Sequence, residues 1–104
     1  MNDKNKKVEL KFLDGIEFEK KYIDEILDRI PKETLDVLNN EWVTVNTNIK
    51  YIKDLGINNY QDAFLRFYNM FLIEPGSFDG IFSKYDKDDL VVKLEKNIAI
   101  MEHL

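Results

Sequence analysis

YQDAFLRFYNMFLI, residues 60–73, is the most apolar stretch of this chain, and it predicts the centre of the fold. When the stretch is placed on a helical wheel at about 100° per residue, its apolar side chains cover more than half of the circumference. The polar residues Asp62, Arg66 and Asn69 fall together on one narrow stripe. A surface helix has a wider polar face than this, so we expect a central helix whose polar stripe is its only edge facing solvent.

The composition favours one helical domain. The chain has 104 residues, enough for a single core, with a hydrophobic fraction of 44% and a charged fraction of 34%. Four glycines and two prolines provide few turn signals, which favours helices over a β fold rich in turns. We therefore predict an all-α protein, a bundle of about five or six short helices around the central one.

Capping signals predict where the surrounding helices begin. Two pairs have the spacing of a capping box, in which the N-cap residue and the third helical residue exchange hydrogen bonds: Asp14 with Glu17, and Asn58 with Gln61. Pro31 ends the first helix or opens the second. Further N-caps are predicted within residues 46–48, at Ser77 and at Asp86.

Two other residues predict helix ends. Gly56 follows a short apolar stripe and stands where a left-handed C-cap is expected. Asn97 falls inside the apolar stripe of the last helix, so we expect that helix to kink or to restart there.

The N-terminal region carries the only β-like signal. Residues 8–12 alternate apolar and polar side chains, the period of a half-buried strand, and residues 42–45 are the other β-favouring stretch. These two stretches could pair as a small appendage to the helices. Residues 1–7 are polar and rich in lysine and are predicted to be frayed, so the predicted domain spans residues 8–104.

The net charge of −5 disfavours binding to nucleic acid or to an anionic membrane through a general electrostatic field. Arg29 and Arg66 are the only arginines among fifteen basic residues, and arginine is the residue expected in bidentate recognition of phosphates and bases. The abundance of lysine, isoleucine and asparagine, which have A/T-rich codons, indicates a bacterial or phage genome.

No apolar stretch is long enough to span a bilayer, and the N-terminus lacks the apolar core of a signal peptide. The chain has no cysteine, which removes disulfides and thiolate chemistry and suits a reducing compartment. We therefore expect a cytoplasmic protein that does not bind a membrane.

No motif in the chain predicts catalysis, a cofactor or a metal site. The acidic run from Asp86 to Asp89 fails the helix–loop–helix calcium pattern, which requires glycine at the sixth position and glutamate at the twelfth; Val91 and Asn97 stand there. His103 is the only histidine, too few for the usual zinc sites. There is no glycine-rich phosphate loop and no G-x-S-x-G turn, so we predict that the protein is not an enzyme.

The predicted function is that of a small protein-interaction module: an adaptor, assembly or regulatory factor that binds a protein partner or itself. The chain has thirteen aromatic residues, more than a domain of this size needs for its core. Trp42, the sole tryptophan, is either a core plug at a helix end or an exposed anchor. The predicted contact residues have apolar positions off the main stripes: Phe18, Tyr22, Trp42, Tyr51 and Tyr85.

The sequence leaves two alternative functions open. The protein could bind nucleic acid through its N-terminal lysines, with two more from a later helix; the set is Lys4, Lys6, Lys7, Lys11, Lys50 and Lys53. Conversely, acidic helix faces could mimic nucleic acid and occupy the basic groove of another protein; the residues concerned are Asp24, Asp28, Asp88 and Asp89.

Overall fold

The computed structural model describes residues 9–104, and it is all-α, as predicted. Six α-helices follow one another in this part of the chain: α1 (Lys20–Arg29), α2 (Lys32–Asn40), α3 (Trp42–Leu55), α4 (Tyr60–Phe67), α5 (Pro75–Ser83) and α6 (Lys87–Lys96). Short 3₁₀ segments lie at Lys11–Leu13, Tyr68–Leu72 and Ile98–His103. The N-terminal segment predicted to be frayed, residues 1–7, lies outside the described residues.

The predicted strand pair is wrong. Lys11–Leu13 forms a 3₁₀ turn and residues 42–45 form the first turn of α3, while Val8 lies outside the described part of the chain. The two stretches nevertheless pack against each other, because the 3₁₀ turn lies on α3 and inserts Phe12 into the core. The alternating pattern therefore marked a buried contact but not its backbone geometry.

The predicted capping box at Asp14 is also wrong, because Asp14 and Gly15 form a β-turn instead. The amide of Ile16 donates to the carbonyl of Leu13 at 3.0 Å. Asp14 has φ −56° and ψ 127°, and Gly15 has φ +73°, a type II turn whose third residue requires a positive φ. Helix α1 begins only at Lys20.

Three other predicted N-caps are not formed. Residues 46–48 lie inside α3, and α5 begins at Pro75, ahead of Ser77, because proline is well suited to the first helical position. Helix α4 has no side-chain cap. Asn58 instead donates to Glu95 at 2.8 Å, and Gln61 accepts from the amide of Glu19 at 2.7 Å. Asn58 and Gln61 thus bond to distant segments and do not cap α4.

The predicted helix ends at Gly56 and Asn97 and the predicted N-cap at Asp86 are confirmed. Gly56 adopts φ +102° at the end of α3, and its amide donates to the carbonyl of Lys53 at 3.0 Å. Asp86 caps α6 by accepting from the amide of Asp89 at 3.0 Å. Asn97 ends α6 and starts the last 3₁₀ segment, where its side chain accepts from the amide of Ala99 at 3.1 Å.

The stretch 60–73 is buried as expected but is not one helix. Helix α4 ends at Phe67, and Tyr68–Leu72 continues as 3₁₀. On the predicted polar stripe, Arg66 and Asn69 are exposed, while Asp62 is half-buried and pairs with Arg66 at 3.8 Å. Several apolar side chains beyond Phe67 are also half-buried, so the edge that reaches solvent is wider than predicted.

A continuous line of five phenylalanine rings forms the core. Its members, in spatial order, are Phe12, Phe64, Phe71, Phe78 and Phe82. Successive ring centroids are 5.3, 5.2, 5.3 and 5.0 Å apart, at tilted or edge-to-face angles that the aromatic quadrupole favours. The line joins the first 3₁₀ turn to α4, to the second 3₁₀ segment and to α5.

Helix α3 lies beside this line and contacts α2, α4, α5 and the first two 3₁₀ segments. Its apolar residues Val45, Ile49 and Ile52 are fully buried. Asn46 and Asn48 are buried too, and each donates its amide hydrogens to two main-chain carbonyls of another segment. These amides are paired as buried polar groups must be, and they fix the chain on both sides of α3.

Candidate interaction site

A shallow groove of about 520 Å³ lies where the N-terminal 3₁₀ turn meets the start of α3. One side is formed by the chain before α1, and Trp42 forms the other. Its lining residues are Glu9, Leu10, Lys11, Leu13, Asp14, Gly15 and Trp42.

Two asparagines hold the wall of this groove in place. The side chain of Asn39 accepts from the amide of Lys11 at 2.9 Å and donates to the carbonyl of Glu9 at 2.7 Å. The amide of Asn46 donates to the carbonyls of Phe12 at 3.1 Å and Asp14 at 2.7 Å. The wall is therefore fixed by α2 and α3 and does not depend on a ligand for its shape.

The groove exposes apolar surface. The side chain of Trp42 is 37% exposed, and the next residue, Val43, is 59% exposed. Leu10 and Leu13 are half-buried and pack against the core. A tryptophan beside two leucines is the kind of anchor that a protein interface buries at its centre, because the indole provides a large contact area at low entropic cost.

Two of the predicted contact residues belong mainly to the core. The ring of Phe18 is 5.7 Å from that of Tyr60 and 6.2 Å from that of Phe64. The ring of Tyr51 lies at the end of the phenylalanine line, 5.8 Å from Phe82. Both side chains are half-buried, so they leave only an edge to solvent.

The other two predicted residues lie apart from the groove. Tyr22 is half-buried, with the ammonium of Lys21 at 5.3 Å from its ring. Tyr85 is 41% exposed, and its hydroxyl donates to the carbonyl of Leu104 at 3.2 Å. Among residues 9–104, none of the aromatic ring contacts joins two of the five predicted residues, so each has its own surroundings.

Burial changes the acid–base behaviour of two tyrosines. Loss of hydration and, to a smaller extent, the nearby carboxylate of Asp79 together raise the pKa of Tyr51 to about 12. Burial also raises the pKa of Tyr60, with smaller effects from Glu17 and Glu19. The Tyr60 hydroxyl donates to the carbonyl of Glu17 at 2.6 Å, which fixes the loop ahead of α1.

The charged residues behind the two alternatives are only partly brought together. Lys11 lines the groove and the ammonium of Lys50 lies beside Gly15, but Lys53 lies over the ring of Tyr60 at 5.8 Å. The lysines at positions 4, 6 and 7 lie outside the described residues. On α1 the acidic face is partly neutralised, because Asp24 pairs with Lys20 at 2.9 Å.

A second groove, of about 560 Å³, was not predicted from the sequence. It lies where α4 gives way to 3₁₀ and is closed by α5 and the C-terminal 3₁₀ segment. Its lining residues are Arg66, Phe67, Tyr68, Asn69, Met70, Ile81, Met101, Glu102 and Leu104. The helical wheel missed it, because the wheel continues the α-helix through Phe67, whereas the structure ends it there.

Between residues 9 and 104, no three histidine, aspartate or glutamate side chains converge in a way that could hold a metal ion. None of the helices in this range has the length and hydropathy that crossing a bilayer requires. No protein-family model, no curated protein and no solved structure matches the chain.

Proposed function

We propose that this protein is a non-catalytic interaction module that binds a protein partner in the groove beside Trp42. The observation that carries the proposal is the partly exposed indole of Trp42 in a groove whose opposite wall is pre-formed. The partner contributes an apolar side chain that packs between the indole and the leucines Leu10 and Leu13. From the sequence we also propose a bacterial or phage origin and a cytoplasmic location.

Two physical arguments support the site. Because Asn39 and Asn46 already fix the groove wall by hydrogen bonds of 2.7 to 3.1 Å, binding loses little conformational entropy there. Burying the exposed part of the Trp42 indole removes further apolar surface from water and so favours binding.

Photo-crosslinking in cells locates the partner and the site together. A photoreactive amino acid replaces Val43, the exposed residue that follows Trp42 in α3, and in a control protein it replaces Val92 on α6, which is 51% exposed. We expect protein adducts that form from position 43 and not from position 92. The same adducts from both positions, or none from position 43, contradict the proposal.

The purified partner, or this chain itself if the adduct is a self-adduct, then allows a binding titration. A fluorescent label on the partner reports binding, so that the wild type and Trp42→Ala, which removes the only tryptophan of the chain, share one readout. Trp42→Ala is expected to weaken binding by about thirtyfold or more, the effect of a hot-spot residue. Val92→Ala, the matched control, is expected to change affinity less than about twofold. Unchanged affinity in the folded Trp42→Ala protein overturns the site.

One observation favours the nucleic-acid alternative as a second candidate. Lys11 and Lys50, from distant parts of the sequence, both lie at the turn that contains Gly15. If this turn binds phosphates, affinity for a single-stranded oligonucleotide falls steeply between low and moderate salt, and Lys11→Gln with Lys50→Gln reduces the slope. Absence of binding at low salt removes this candidate.

A further inference from the structure

The end of α4 departs from what its own sequence favours. Residues 60–73 contain neither glycine nor proline, and the first helix breaker is Pro75. The α-helix nevertheless ends at Phe67, whose φ is −127° and ψ 40°, and Tyr68–Leu72 is 3₁₀. A 3₁₀ stretch within a sequence that favours α-helix often marks a functional hinge or a sequence under strain.

Asn48 binds the segment that follows this break. Its side chain is 1% exposed, and its amide nitrogen donates to the carbonyl of Phe71 at 2.9 Å and to that of Ile73 at 2.7 Å. In a continued α-helix the carbonyl of Phe71 would have no donor, because the partner four residues on is Pro75, which lacks an N–H. In the observed geometry Asn48 supplies a donor to this carbonyl.

The phenylalanine line acts in the same direction. Residues seven apart in an α-helix are separated by about 10.5 Å along the axis. The ring centroids of Phe64 and Phe71 are 5.2 Å apart. The break at Phe67 therefore brings Phe71 back onto Phe64, and a straight helix would separate the two rings.

The five residues Tyr68–Leu72 also shape the second groove. A 3₁₀ segment rises about 2.0 Å per residue against about 1.5 Å in an α-helix, and turns about 120° against about 100°. The chain also turns at Phe67, so a continued α-helix would carry Tyr68 and Met70 to different positions. Tyr68, Asn69 and Met70 line the groove, so its shape depends on which form the segment adopts.

We propose that Tyr68–Leu72 is a conformational switch latched by the side-chain amide of Asn48. In the latched form the segment is 3₁₀ and the groove has the observed walls. In the released form α4 continues through this segment, Phe71 leaves Phe64, and the walls formed by Tyr68 and Met70 move. A molecule that fills the groove therefore stabilises the latched form, by its difference in affinity for the two forms.

The test compares Asn48→Ala with Asn46→Ala. The control residue lies on the same helix and clamps two carbonyls in the same way, but on the N-terminal segment. In Asn48→Ala we expect amide exchange at Phe71, Leu72 and Ile73 to accelerate about tenfold or more relative to Ala63, because their segment has lost two buried donors. The Cα chemical shifts of residues 68–72 move towards α-helical values. Asn46→Ala leaves both measurements unchanged at this segment.

A folded Asn48→Ala protein with unaltered shifts and exchange at residues 68–73 overturns the latch. If the variant does not fold, the wild-type protein decides. Its amides at Phe71, Leu72 and Ile73 must exchange through a local opening that is nearly independent of low urea concentrations, while Ala63 and Phe64 exchange through a larger unfolding. Exchange of all five amides with one common urea dependence means that the segment opens only with the whole protein, and overturns the proposal.

Discussion

Asn46 and Asn48 lie two residues apart on α3 and secure two segments that are distant from each other in sequence. Two helical residues in this relation point about 200° apart, to opposite sides of the helix. Asn46 donates to the carbonyls of Phe12 and Asp14, and Asn48 to those of Phe71 and Ile73. Helix α3 thereby organises both grooves, the first through Asn46 and the second through Asn48.

Replacing either asparagine by alanine should destabilise the protein. Each substitution leaves two main-chain carbonyls without their donor in a buried or partly buried place, so we expect the free energy of unfolding to fall by about 2 to 3 kcal/mol. Urea denaturation followed by circular dichroism measures the loss. Asn69→Ala, at an exposed position, is the control and should change stability by less than about 0.5 kcal/mol. Equal effects in all three variants contradict this account.

Removing a ring from the middle of the phenylalanine line should destabilise the protein more than removing the ring of Phe18 beside the line. Phe71 is fully buried between Phe64 and Phe78, so Phe71→Ala is expected to lower the free energy of unfolding by about 3 to 5 kcal/mol. Phe18→Ala removes a half-buried ring and should cost clearly less. Thermal melts of the two variants test the order, and a larger loss in Phe18→Ala disproves it.

Two glycines should respond to alanine in opposite directions. Gly56 has φ +102°, so its alanine variant is strained although the space around it is open, and we expect a loss of about 1 to 2 kcal/mol. Gly80 lies inside α5 with no atom within 4 Å of the added methyl group. Gly80→Ala should gain about 0.5 to 1 kcal/mol. Denaturant midpoints decide, and a stabilised Gly56→Ala would show that the left-handed cap is not maintained.

Stability should fall at alkaline pH, in part through Tyr51. The folded state raises its pKa from 10.0 to about 12. A group with a raised pKa contributes its full stabilisation below the unfolded value, so this contribution is present below pH 10 and is lost as the pH rises towards 12. Denaturation of wild type and Tyr51→Phe between these pH values measures the difference, and Tyr51→Phe should show the smaller decline.

Asp79 provides the control for this titration. Its carboxylate adds to the shift of Tyr51, so Asp79→Asn should bring the pKa of the phenol closer to its ordinary value. The ring chemical shifts of Tyr51, followed by NMR against pH, report this value, because absorbance would sum all five tyrosines. A Tyr51 titration unaffected by Asp79→Asn leaves burial as the whole cause.

The sites were harder to predict than the fold. The sequence leaves Trp42 as either a core plug or an exposed anchor, and it assigns the groove neighbour Leu10 to a strand, because a period of two over five residues does not distinguish a strand from a 3₁₀ turn with one buried ring. The second groove was missed, since it exists only where α4 stops being an α-helix. Asn48, whose side chain donates to carbonyls of the segment after that break, lies in residues 46–48, where the sequence predicts an N-cap.

Local chemistry accounts for the features that were predictable from the sequence: the all-α class, the burial of residues 60–73, the left-handed end at Gly56, the cap at Asp86 and the break at Asn97. Each of these follows from apolar periodicity or from a hydrogen bond between residues near in sequence. Tertiary structure alone decided the start of α1, the end of α4 and both grooves. At the end of α4 and at both grooves, side chains of α2 and α3 bind carbonyls about 20 to 35 residues away, and no local pattern encodes those pairings.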